Sequence, residues 1–363
     1  MTRHVALAVG DTAGHVLPAL ALADAYAHYA GPVAARIITA GEGSGHWLVR
    51  RSGLPLHVVP GTPFAREPAA RQLRSLIGIA RAVGHARRIL VAHGIRLVIG
   101  TGGYGSVATV LAARTLGLRT AIIEPNVLPG LANRWLARLV HRAYVAFDEA
   151  RHQLRAERVI VTGLPVHAGA TRHATARRPP VSPRLRLLIV SGSRGALFFS
   201  RALPALIAAL RRDGLDVHVR HQAGPHVAST VDGYAGLGER VEVLEFIDDM
   251  PAALEWADVV IARAGAGTIA DLTLAGVPAL LVPWVDAASD HQAANAEALV
   301  RRGAALTIRE EAWTTVAAAQ QLRGLVEHPS AWTAMSRAVA ALGTRDAAAR
   351  IVDDCEALME GRW

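Results

Sequence analysis

A histidine at the junction of a strand and a helix is placed to take or give a proton near neutral pH, and the first apolar run ends in one. Val5 to Val9 leads into Gly10-Asp11-Thr12-Ala13-Gly14-His15, and a helical pattern follows from Leu17 to His28. Backbone N–H groups at such a helix start favour anions and developing negative charge. An isolated histidine is more often a cap or a packing residue, but the strand-to-helix turn favours chemistry at His15. The turn is not a dinucleotide fingerprint: GxGxxG is unsatisfied, and Glu42 is only loosely placed for a ribose.

Four further clusters lie at strand ends. Gly100-Thr101-Gly102-Gly103-Tyr104-Gly105-Ser106 is a loop where missing side chains admit a ligand or make a tight turn. Glu124-Pro125-Asn126 sets a carboxylate and an amide after a strand, and Glu124 reads as an acid, a base or a cap. Ser191-Gly192-Ser193-Arg194-Gly195-Ala196 offers hydroxyls and a guanidinium suited to a diphosphate, without a Walker lysine. Arg263 to Asp271 is the densest: its glycines admit a phosphate to a helix start, and Asp271 can bridge ribose hydroxyls. Downstream, Asp286, Asp290, His291, Gln292 and Asn295 suit sugar hydroxyls or a capped helix start. His218, His221 and His226 have no clustered cysteine or carboxylate, so no structural metal is expected.

The elements that position these clusters are β-branched runs, each followed by a turn and an Ala/Leu helical pattern. Val5–Val9, Arg36–Thr39, Leu97–Ile99, Thr120–Ile123 and Val159–Thr162 precede a proline- and arginine-rich stretch, Gly163–Arg184, that reads as a linker. The pattern restarts with Leu185–Val190, Val217–Arg220, Val241–Leu244, Val259–Ile261 and Ala279–Val282. This is the βαβ signature of a doubly wound parallel sheet, twice over. A chain of 363 residues accommodates two domains, expected at 1–163 and 164–342, with the terminal helix 343–363 returning to the first.

An apolar fraction of 52% excludes a disordered chain, and the single Cys355 excludes an internal disulfide framework. The start at Met1 runs directly into a strand pattern, which implies a cytosolic protein. Leu97 to Ala113 is uncharged but interrupted by four glycines, so no membrane span is expected. The net charge of +9 attracts anionic lipid, nucleotide phosphate or nucleic acid, unless it reflects arginine-rich coding. Between Arg71 and Arg88, Leu73, Leu76, Ile77, Ala80 and Val83 share a helical face, with Arg71, Arg74, Arg81, Arg87 and Arg88 around it. That suits a helix on anionic lipid, although a solvated basic face over core contacts is commoner.

Taken together, the blocks resemble the bacterial MurG family. The most specific are Thr12-Ala13-Gly14-His15, Gly102-Gly103-Tyr104, Glu124-Pro125-Asn126, Gly130 to Ala137, Gly192 to Ala196 and Glu245-Phe246-Ile247-Asp248-Asp249-Met250. The resemblance implies the α/β fold called GT-B, two Rossmann-like doubly wound parallel-sheet domains facing a central cleft. It implies an inverting transferase that moves N-acetylglucosamine from UDP-N-acetylglucosamine to undecaprenyl-pyrophosphoryl-N-acetylmuramyl-pentapeptide. By resemblance His15 and Asn126 belong to the reacting centre, and Thr12, Ala13 and Gly14 to the phosphate-facing loop. Gly102, Gly103, Tyr104, Glu124 and Asn133 fall on the acceptor side. The donor side takes Ser193 and Arg194 for phosphate, Ile247 for uracil, Ala266, Gly267, Thr268, Ile269 and Ala270, Asp271 for ribose, and Gln292 for the sugar.

The family docks peripherally on the cytoplasmic face of the inner membrane, which assigns Arg71, Leu73, Arg74, Leu76, Ile77 and Arg81 to lipid. No nucleic acid partner and no obligatory cofactor are implied; a divalent cation is compatible but not required. Departures occur at Asp11, Ala13 and Pro125, at Leu164 and His167 in the nucleotide-contacting stretch, and at Asp271, one methylene shorter than the usual glutamate. They leave open a tailoring transferase acting on a lipopeptide or other natural product, a non-catalytic nucleotide-sugar binder, or a UDP-sugar epimerase.

Overall fold

The computed structural model describes residues 3–29, 33–41, 45–60, 69–166, 177–192, 195–238, 240–284 and 290–362. The chain divides into two compact units, Met1–Ala168 with Arg345–Trp363, and Gly169–Thr344.

Among the described residues of the first unit, seven strands form one parallel sheet. They are β1 (Arg3–Val9), β2 (Val33–Ala40), β3 (Leu56–Val59), β4 (Leu97–Gly100), β5 (Arg119–Glu124), β6 (Arg142–Val145) and β7 (Arg158–Val161), in the order β3-β2-β1-β4-β5-β6-β7. A parallel sheet is covered on both faces, so its central strands are continuously apolar rather than alternating. Val5 through Val9 and Leu97 through Ile99 are accordingly all buried. The helices α1 (Ala13–Tyr29), α2 (His46–Ser52), α3 (Ala69–Ala92), α4 (Tyr104–Thr115), α5 (Leu131–Leu136) and α6 (Asp148–Arg151) connect these strands.

The second unit repeats the plan with six described strands: β8 (Arg184–Val190), β9 (Asp216–Gln222), β10 (Val241–Leu244), β11 (Val259–Ala262), β12 (Ala279–Leu281) and β13 (Leu306–Thr307). Their order is β10-β9-β8-β11-β12-β13, all parallel. Its helices are α7 (Leu197–Arg212), α8 (Val227–Gly233), α9 (Met250–Trp256), α10 (Ala266–Ala275), α11 (His291–Val300), α12 (Thr315–Glu327) and α13 (Pro329–Ala340). Phe199, Leu203, Leu206 and Leu210 on α7 bury against Val217 and Val219 of β9 and Leu322 of α12.

The last helix, α14 (Ala347–Met359), packs on α1 in the first unit. Arg142 Nε and Tyr144 Oη both donate to Asp354 Oδ2, at 2.9 and 2.8 Å, and Tyr144 Oη lies 3.2 Å from Cys355 Sγ. The shared carboxylate explains how Arg142, 2% exposed, is tolerated inside. Burial pushes the Cys355 thiol up to about 12, so it is an inert core group.

Among the described residues no helix is long and apolar enough to cross a membrane. Helix α3 buries Ala82, Ala86 and Leu90, which leaves Ile77 and Arg81 exposed on its other side. The side chains of Arg71, Leu73, Arg74 and Leu76 lie outside the described residues.

Candidate active site

Both sheets have a strand order that reverses direction at one point, and open α/β sheets bind ligands beyond the carboxyl ends of the strands there. In the first sheet this point lies between β1 and β4, the strands that lead into Gly10–His15 and Thr101–Tyr104. The two loops meet at His15. A Cβ on Gly10 would sit 2.6 Å from His15 Nδ1, and one on Gly102 or Gly103 would come within 3.1 Å of the ring. Gly102 and Gly103 also have φ of +101° and +74°. These glycines thus seat the imidazole.

Thr12 orients the ring: its Oγ1 lies 3.2 Å from His15 Nδ1. Its carbonyl accepts the His15 and Val16 amides at 3.0 and 3.2 Å, which starts α1. Thr101 Oγ1 donates to His15 O at 2.7 Å, so the end of β4 anchors the first turn of α1. The Nδ1 contact leaves Nε2 as the ring nitrogen that can meet a substrate hydroxyl. The residue type suggests titration near neutrality, but burial pushes His15 down to about 4. The ring is therefore neutral at pH 7, a competent proton acceptor but a weak one.

Glu124, 1% exposed, ends β5 and accepts from four N–H groups. Oε1 takes Asn126 N at 2.9 Å and Asn126 Nδ2 at 3.2 Å; Oε2 takes Gly130 N at 3.0 Å and Asn133 Nδ2 at 2.9 Å. Burial raises its carboxyl and the four donors pull it back. With both oxygens committed, Glu124 folds the Asn126–Gly130 turn onto α5, the arrangement of a cap among the acid, base or cap alternatives that its strand-end position offers. Asn133 Nδ2 also donates to Ile123 O at 2.9 Å, while its buried Oδ1 has no partner among the described residues. A Cβ on Gly102 would lie 3.6 Å from Asn133 Nδ2, so this network abuts the histidine loop. Pro125 disturbs none of these bonds, because the donors flank it.

His46, absent from the sequence motifs, is 5% exposed beside the same edge, with Nε2 3.2 Å from Thr39 Oγ1 at the end of β2. Burial raises the Asp11 carboxyl, and the nearby His46 offsets part of that rise. Gly45 N donates to Asp11 O at 3.0 Å, tying the two loops. Tyr104 begins α4, and its side chain lies outside the described residues.

In the second sheet the reversal lies between β8 and β11, so the turns after Val190 and Ala262 share one edge. Ser193, Arg194, His167 and Asp286 lie outside the described residues. Helix α10 starts after Gly265, and Ala266, Gly267 and Thr268 form its first turn, whose N–H groups lack intrahelical partners. A Cβ on Gly267 would meet open space within 4 Å. Ile269 is buried toward the core. Asp271 is partly buried on the same helix, and desolvation raises its carboxyl from 3.8 to about 7. Ile247 is 7% exposed in the turn between β10 and α9, which Asp249 closes by accepting Ala252 N at 3.0 Å.

Gln292 opens α11, and its Oε1 accepts Trp284 N at 2.9 Å. Its amide nitrogen is thereby left to donate to a ligand oxygen. Two residues carry roles that their type alone does not announce. Arg263 donates to Val282 O at 3.1 Å, pairs with Glu310 at 2.6 Å and lies over the Phe199 ring at 4.8 Å. Asn295 Nδ2 donates to Ala264 O at 3.2 Å. Both fasten the α10 turn to the segment leading to Gln292.

The geometry agrees with comparisons to known proteins. The profile of the glycosyltransferase family 28 N-terminal domain matches residues 5–145, and that of the C-terminal domain matches residues 186–351. The chain is 39% identical to a Sorangium cellulosum UDP-N-acetylglucosamine--N-acetylmuramyl-(pentapeptide) pyrophosphoryl-undecaprenol N-acetylglucosamine transferase, over 96% of this chain and 87% of that one. It is 35% identical to the Myxococcus xanthus protein of the same name, over 99% and 94%. The crystal structure of Acinetobacter baumannii MurG superposes with a TM-score of 0.75 at 29% identity, covering 97% of this chain and 98% of that one. Two doubly wound parallel sheets with ligand-competent reversal points, matched to both domains of one family along nearly the whole chain, place the protein in glycosyltransferase family 28.

Proposed function

We propose that the chain transfers N-acetylglucosamine from UDP-N-acetylglucosamine to the N-acetylmuramyl-pentapeptide of an undecaprenyl-pyrophosphate carrier, with inversion at the anomeric carbon. The observation that carries this reading is the near-full-length identity to relatives whose name states both donor and acceptor. The two loop sets support it, one seating a neutral imidazole and the other presenting a helix start.

The acceptor hydroxyl gives its proton to His15 Nε2 as its oxygen attacks the anomeric carbon and UDP departs. Thr12 holds the ring by Nδ1. Negative charge brought by the diphosphates raises the proton affinity of an imidazole that burial has depressed. Asn126, fixed by Glu124, serves the reacting centre, and Asn133 and Tyr104 serve the acceptor side. The leaving diphosphate meets the first turn of α10 together with Ser193 and Arg194, so its charge is stabilised with no metal required. Asp271 takes the ribose, Ile247 the uracil, and Gln292 the sugar through its amide nitrogen. The chain works peripherally at the cytoplasmic membrane face, where its acceptor is anchored, with the outer side of α3 toward lipid.

The test is UDP release from UDP-N-acetylglucosamine by purified protein, with and without a soluble analogue of the muramyl-pentapeptide lipid. Acceptor-dependent release with a new disaccharide is the expected result. UDP release that ignores the acceptor, or donor binding without transfer, would overturn the assignment.

A further inference from the structure

The turn between β8 and α7 has two described ends, Ser191-Gly192 and Gly195-Ala196. Both are held by one neighbouring segment, β9 and the turn after it. At the first end, Ser191 N donates to Gln222 O at 3.4 Å, and Ser191 Oγ lies 3.2 Å from His221 Nε2. His221 Nδ1 lies in turn 3.1 Å from Tyr234 Oη at the end of α8. At the second end, a Cβ on Gly195 would be 2.5 Å from Ala223 O and 2.9 Å from the His226 ring. Ser200 Oγ and Thr230 Oγ1, 2.6 Å apart, then bind α7 to α8.

The Ser191, His221 and Tyr234 side chains are 4%, 0% and 6% exposed. Packing alone is served on this strand face by Val217 and Val219. A buried polar chain costs free energy unless every member is bonded, and when it is bonded it fixes one geometry. This chain fixes the point where the backbone leaves β8 and enters the turn.

We propose that Ser191, His221 and Tyr234 are positioning residues for the donor's diphosphate, acting through the backbone at Ser191-Gly192, the described end of the connection where it leaves β8. This rests on the reading that the chain binds a UDP-sugar. Burial pushes His221 down to about 3, so the ring is neutral and carries one N–H. With that proton on Nε2, the ring donates to Ser191 and accepts from Tyr234, which leaves the serine hydroxyl hydrogen as the unused donor at the turn. An anion beside the turn favours this direction over its reverse.

The test uses the full chain with Ser191→Ala, Tyr234→Phe and the double variant. It measures UDP affinity by calorimetry, uridine affinity by NMR titration, and thermal unfolding to establish that each variant is folded. The inference expects UDP affinity to fall about tenfold in each single variant while uridine affinity holds. The double variant should be no weaker than the weaker single, because both break one chain. Unchanged UDP affinity in both singles, an equal loss for uridine, or multiplicative losses in the double would each overturn it. A wild-type chain that binds uridine and UDP equally, or neither, would instead overturn the donor reading itself, and this inference with it.

Discussion

Asp271→Asn is expected to stabilise the protein while weakening its grip on the nucleoside. The carboxyl at Asp271 is raised from 3.8 to about 7 by desolvation, with no compensating partner among the described residues. A folded-state value above the unfolded one means that the folded chain binds the proton more tightly. The stability this provides is complete below pH 4 and is lost as pH rises toward and through 7. Holding the group ionised at pH 8 then costs about 4 kcal/mol, or about 2 to 4 once its partial solvent contact is allowed for. Asparagine removes the charge and with it the cost, so the variant's advantage in urea unfolding should grow between pH 5 and pH 8 by about 1 to 2.5 kcal/mol. Ribose hydroxyls supply the missing donors, so uridine binding should release up to about one proton near pH 6.5 in wild type and none in the variant. Uridine serves here because it has no phosphate to titrate. A stability difference independent of pH, or equal uridine affinity in the two proteins, would refute the assignment of Asp271 to the ribose.

If His15 is the base, the acid limb of kcat/KM should lie near pH 4, where the buried imidazole of the free protein titrates, and the limb of kcat should lie higher. A kcat/KM limb near 6.5 would mean that the ring is solvated. Glu124→Gln sets an amide against N–H donors that now bond to carboxylate oxygens, which costs about 2 to 4 kcal/mol in thermal or urea unfolding. Turnover should fall with no shift of the pH profile, and a lost basic limb would assign Glu124 the role of an acid. Asp354→Ala strands the buried Arg142 guanidinium and should destabilise the first unit by about 3 kcal/mol, measured by urea unfolding. A loss below about 1 kcal/mol would mean that α14 is held by apolar packing alone.

Much was legible in the sequence because it is local. Continuous apolar runs identified the central strands, which are buried on both faces, and glycine-rich stretches after β1, β4, β8 and β11 marked the strand ends where the sheet order reverses. Strand β3 was obscured by His57 in its middle, β6 by Arg142 at its start and β13 by its two-residue length. These depend on neighbours for their burial, so their own residues carry little signal.

Which turns share an edge is set by strand order, and residue spacing does not encode it. Only the tertiary structure brought Gly102 and Gly103 around His15, nearly ninety residues away, and so partly desolvated the imidazole and moved it out of its ordinary titration range. Only it saturated Glu124 with four donors, and linked Ser191 through His221 to Tyr234. The chemical types were in the sequence; their protonation states and partners came from burial, which is a property of the packed chain.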